Sequence, residues 1–75
     1  MNVEKEIRKL MLVYDVEDFD KDQTFEDLGL NTLDVVEIIV DAESVFGAEI
    51  SDEMVGLLKT PAQLMEHLSD VTGYE

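Results

Sequence analysis

Thr32, with Ser51 and Thr60, is one of the hydroxyl residues of this 75-residue chain that fall at a helix start, where an anion could be held. It follows Asn31, a good helix cap, and opens an apolar-rich run, so its hydroxyl falls at a helix N-terminus. There the helix dipole and unpaired N–H groups favour an anion. The plainer reading, and the one the residues alone favour, is a first-turn threonine whose hydroxyl bonds a backbone group. Few other side chains compete. The absence of cysteine removes a thiol nucleophile, a disulfide framework and a thiolate metal site. His67, the single histidine, is expected at the surface and offers a zinc ion only one imidazole. No nucleophile–base pair or metal cluster is recognisable, so the chain does not read as an enzyme.

The remaining chemistry is carboxylate chemistry. Asp15, Glu17, Asp18, Asp20 and Asp22 crowd one stretch, but an EF-hand loop starting at Asp18 needs Gly where Gln23 stands and Glu where Gly29 stands. A solvated acidic loop is the expectation. A second group, Asp34, Glu37, Asp41 and Glu43, recurs with helical spacing beside Val36 and Val40. Apolar residues ringed by charge suit a partner patch better than a plain solvated face.

With 5 Lys and Arg against 19 Asp and Glu, the formal net charge is −14. Nucleic acid needs a cationic footprint and an anionic membrane surface would repel this field, so neither is an expected partner. Basic protein surfaces are. The same self-repulsion predicts a monomer. Leu, Ile, Val and Phe nevertheless make up a third of the chain, enough for an acidic sequence to collapse around a core. The length allows one small domain over residues 1–75. No run of residues resembles a membrane span or a signal peptide, and the cytoplasm, or an organelle matrix, is the expected compartment.

Helical periodicity supplies the elements that must position these groups. Val3, Ile7, Leu10, Met11 and Tyr14 form one stripe of a helix over 3–14, capped by Asn2. Residues 15–31 lack periodicity, but Phe19, Phe25, Leu28 and Leu30 should pin this long loop to a core. Asn31 caps the next helix, aided by Asp34, and Gly47 stops it in the left-handed conformation. Its buried stripe is Val35, Ile39, Ala42 and Phe46, widened by Ile38 and Val45. Ser51 opens a short helix through Leu58. Thr60-Pro61 opens the last, which carries Leu64, Met65, Leu68 and Val71 and ends at Gly73. With no strand signal and no repeat, the expected fold is all-α: a small four-helix bundle with a short third helix and a long loop after the first.

Phe25-Glu26-Asp27-Leu28-Gly29-Leu30-Asn31-Thr32-Leu33-Asp34-Val35-Val36-Glu37 resembles the acyl carrier protein family, in which Leu-Gly-x-Asp-Ser-Leu opens the second helix. Phe46-Gly47-Ala48-Glu49-Ile50-Ser51-Asp52-Glu53 is similar to the family's Phe-x-x-Glu-Ile-Pro-Asp-Glu stretch. Thr60-Pro61-Ala62-Gln63-Leu64 is similar to its entry into the last helix. The resemblance covers nearly the whole chain and implies the acyl-carrier bundle, with 4′-phosphopantetheine linked to Thr32, where the family has serine. The arm would carry acyl intermediates for fatty acid or related biosynthesis.

Two further expectations follow from the resemblance. Leu33, Asp34, Val36, Glu37, Val40 and Asp41 would dock basic surfaces of a phosphopantetheinyl transferase and of acyl-processing enzymes. Leu28, Val35, Ile39, Ala42, Ile50, Val55, Leu58 and Leu64 would line a pocket for the acyl chain, although a close-packed core explains the same residues. The chain departs from the family where the chemistry sits, reading Asn31-Thr32-Leu33 for Asp-Ser-Leu. The threonine methyl crowds the oxygen and restricts χ1, and Asn31 lacks the family's carboxylate. The alternative is therefore an interaction module of carrier fold that is never charged.

Overall fold

Asn2 starts the first helix as its short amide side chain allows, accepting the Lys5 N–H at 2.9 Å. The computed structural model describes residues 1–75, and its order is α1 (Val3–Leu12), α2 (Thr32–Phe46), α3 (Asp52–Leu57) and α4 (Pro61–Thr72). It is an all-helical bundle with a short third helix and a long α1–α2 loop, as the periodicity implied. No helix is long and apolar enough to cross a membrane.

α1 ends two residues before the expected Tyr14. The Val13, Tyr14 and Asp15 amides tighten to carbonyls three residues back, and the Val16 N–H closes on the Met11 carbonyl at 3.1 Å. Asp15 takes φ +63° at this stop, a conformation aspartate tolerates better than most residues. α2 needs glycine at its end: Gly47 has φ +64° and its N–H reaches the Glu43 carbonyl. α3 stops at Leu57, with Leu58 turning inward as its cap.

Sixteen apolar side chains make one buried cluster drawn from α1, α2, α4 and the loops. α1, α2 and α4 pack on one another around it. α3 adds no fully buried residue, only the half-buried Met54 and Val55. Phe19, Phe25 and Leu30 are buried and Leu28 half-buried, so the long loop is anchored as expected. Arg8 secures it: the guanidinium donates to Glu4 Oε2 at 2.9 Å and to the Phe19 carbonyl at 3.0 Å, and lies 4.5 Å from the Phe19 ring centroid. The Ala62 N–H to the Lys21 carbonyl, 2.9 Å, ties the same loop to α4.

Three expectations about burial need correction. Val45 and Val71 are exposed: Val45 points roughly a quarter turn away from the stripe that buries Phe46 beside it, and Val71 lies in the last turn of α4. His67, expected at the surface, is half-buried on α4. Glu43 leaves the solvated stripe: it is half-buried and its Oε2 accepts the Ile50 N–H at 2.8 Å, fixing the turn into α3.

Candidate functional site

The loop before α2 sets the site. Residues 25–29 form a tight turn in which Gly29 donates to Glu26 O at 3.0 Å and Leu30 to Phe25 O at 3.1 Å. Gly29 has φ +87°, while open space surrounds its missing Cβ. Backbone conformation, not crowding, therefore calls for glycine. The turn delivers Asn31 to the helix start, where a reciprocal cap forms: Asn31 Oδ1 accepts the Asp34 N–H at 2.8 Å and Asp34 Oδ2 accepts the Asn31 N–H at 3.2 Å. These bonds leave the Thr32 hydroxyl, on the first residue of a 15-residue helix, exposed and outside the cap.

Thr32 lies on a half-open cleft of about 790 Å³ between the loop, α2 and the α3–α4 link. Phe25, Leu30, Val35, Val36, Val55 and Leu58 give it apolar walls, and Thr24, Glu26, Asn31 and Lys59 add polar groups. The Phe25 N–H donates to the Lys59 carbonyl at 3.0 Å and ties two of its sides together.

Of the residues expected to line an acyl pocket, Val35, Val55 and Leu58 face this cleft. Ile39, Ala42 and Leu64 are closed inside the core, Ile50 is buried, and Leu28 packs half-buried against the same cluster. None of these five lines the cleft. Phe25, Leu30 and Lys59 were missed as site residues because only the tertiary fold, through bonds such as Phe25 to Lys59, brings them beside Thr32.

The α2 residues expected to dock partners share one strip. Leu33, Val36 and Val40 are 65%, 39% and 54% exposed, and Glu37 and Asp41 are exposed beside them at helical spacing. Asp34 is half-buried and already occupied by the cap. Tyr14, expected only on the stripe of the first helix, reaches this strip from the turn after α1, and its hydroxyl donates to Glu37 Oε2 at 3.3 Å. Partial burial, followed by the Asp41 and Glu37 charges, pushes the phenol above its ordinary 10.0.

This gives a testable pH dependence. The folded chain holds the Tyr14 proton beyond the point where the unfolded chain releases it. The associated stability is complete below pH 10 and declines as pH rises toward the folded value. Absorbance titration in the tyrosinate band should resolve a late-titrating phenol that Tyr14→Phe removes. A single transition in the unaltered protein, unchanged in that variant, would refute it.

Residues 4–68 match the family described as "Phosphopantetheine attachment site". An acyl carrier protein of Trieres chinensis is 40% identical over 43 residues, which span 57% of this chain and 54% of that relative. The family match runs from α1 through the cleft into α4 and takes in every element that positions Thr32, so the chain belongs to the phosphopantetheine attachment site family, whose prosthetic group is 4′-phosphopantetheine.

Proposed function

We propose that this protein is an acyl carrier: Thr32 bears 4′-phosphopantetheine, and acyl intermediates are presented on it to fatty acid or related biosynthetic enzymes. The observation that carries this reading is an exposed hydroxyl, outside the helix cap, beside an apolar-walled cleft in a chain of this family. The residues present fit the group. Thr32 Oγ1 would be the point of linkage, the first-turn N–H groups of α2 would face the phosphate, and the cleft walls would shelter apolar chain. The arm supplies a terminal thiol for thioester chemistry, which a cysteine-free chain lacks. The chain's own work is to position, shelter and dock, not to catalyse. Leu33, Val36, Glu37, Val40 and Asp41 form the docking strip for basic partner surfaces, and the working protein is a monomer of the cytoplasm or an organelle matrix.

A second reading has its own observation. Asn31 presents an amide, already engaged as the cap, where the family has a carboxylate, and Thr32 adds a methyl to the nucleophile. A displacement of about 1 Å in such a nucleophile can cost on the order of a hundredfold in rate. This favours a carrier-fold module that binds partners uncharged.

Intact mass decides between the two. The protein is incubated with coenzyme A, magnesium and a broad-specificity phosphopantetheinyl transferase, with Thr32→Ser alongside. We expect one phosphopantetheine on both, mapped to residue 32, with the serine version modified about 10–100-fold faster. Modification of the serine version alone would establish the uncharged module.

A further inference from the structure

Of the five cations in the chain, four lie on or against α1. Arg8 pairs with Glu4 at 2.9 Å, Lys9 with Glu6 at 3.4 Å and Lys21 with Glu4 at 3.6 Å, while Lys5 sits in the first turns of the same helix. Lys59 is the exception. It lies on the cleft that Thr32 lines, away from α1, and, like Lys5, forms no ion pair, although Glu26 borders the same space. Its backbone is held on both sides: the N–H donates to Gln63 Oε1 at 2.7 Å and the carbonyl accepts from Phe25 at 3.0 Å. The root of the side chain is thus fixed while its ammonium stays unpaired. Gly56, on the same cleft, leaves open space where a side chain would stand.

A net charge of −14 opposes any anion brought to this surface. A cation on the same cleft as Thr32 offsets part of that repulsion for an anion held there, an effect that salt screens. We infer that Lys59 is the anion anchor of the cleft, pairing its ammonium with an oxyanion of the group linked at Thr32. That oxyanion belongs to the phosphodiester or to a carboxylate on the carried chain, and both offer the same charge-assisted N–H···O contact. The inference rests on the attachment reading of Thr32.

Thr32→Ser protein, which removes the threonine methyl from the linkage step, tests it with Lys59 and with Lys59→Gln. Each is charged from coenzyme A derivatives with the bare arm, with a neutral six-carbon acyl group, or with a six-carbon group ending in a carboxylate. Intact mass verifies loading, and melting temperature is compared with the uncharged form at low and high salt. Lys59→Gln should lower the charged form by about 2–5 °C more than the uncharged form, a gap that closes at high salt. A gap present with the bare arm identifies the phosphodiester, whereas one confined to the carboxylate-bearing form identifies the cargo. Equal shifts in uncharged and all charged forms would overturn the inference. Failure of unaltered Thr32 to accept the arm counts against the attachment reading alone, because the serine background still decides the role of Lys59.

Discussion

Leu64→Ala is expected to destabilise the domain by about 3 kcal/mol and to lower its melting temperature by roughly 15 °C. Leu64 is 0% exposed and packs within the cluster that joins α4 to α1 and α2. Truncating it removes the transfer free energy of the lost methyl groups and leaves a cavity that rigid helix backbones cannot fill. A domain of this length holds only about 4–11 kcal/mol in total, so one such cavity consumes a large share. Leu57→Ala is the control: Leu57, in the last turn of α3, is 61% exposed, and its truncation should cost under about 0.5 kcal/mol. Thermal and urea melts followed by far-UV circular dichroism would check the pair. Equal losses at both positions would show that α3, and not the three-helix packing, holds the core together.

The same contrast explains how much of the fold could be read from the residues. Leu57 and Leu64 are chemically identical, but Leu64 repeats with Met65 and Leu68 on one face of a twelve-residue helix. α3 has six residues, too few for a periodic stripe to declare itself. Caps were legible for a local reason: Asn2, Asn31, Ser51 and Thr60 each bond an amide three residues ahead, so the whole motif lies within four positions. Glu43 was misplaced because its partner, the Ile50 N–H, lies beyond a turn whose geometry periodicity does not encode.

The site divides along the same line. The α2 strip was visible because its residues belong to one helix, and helix spacing fixes which residues share a face, whereas Thr32 was marked by the resemblance of Leu28-Gly29-Leu30-Asn31-Thr32-Leu33 to the carrier motif. The cleft was not, since its walls come from three segments joined by contacts such as Phe25 N–H to the Lys59 carbonyl. Apolar residues alone could not say which would line a space and which would fill the core. Ile39 and Ala42 lie further along the same helix as Val35 and face the buried side, while Val35 sits at the end where the 25–29 turn stands off from α3.

Charge reversal on α2 should have the largest functional effect after loss of the Thr32 hydroxyl. In a Thr32→Ser background, Glu37→Lys with Asp41→Lys is expected to lower kcat/KM for a basic phosphopantetheinyl transferase by roughly tenfold or more at low salt, mainly through KM. Both carboxylates are exposed, one helical turn apart, with Val36 and Val40 between and beside them, so a partner meets charge and apolar surface together. Attraction of a basic surface to this strip weakens as salt screens it, and the reversed protein should show a flatter salt dependence. Net charge changes by four units on reversal, which alone would slow encounter. Asp52→Lys with Glu53→Lys on α3 makes the same change in net charge away from the strip and isolates that contribution. We expect this control to lose less than about threefold. Glu37 also accepts the Tyr14 hydroxyl, so Tyr14→Phe tests whether that hydrogen bond matters to the strip's presentation. Matching losses from the α2 and α3 reversals would assign the effect to net charge and remove the case for a docking strip. A loss confined to α2 would locate recognition on Glu37 and Asp41, four and eight residues beyond Leu33 in the first turn of α2.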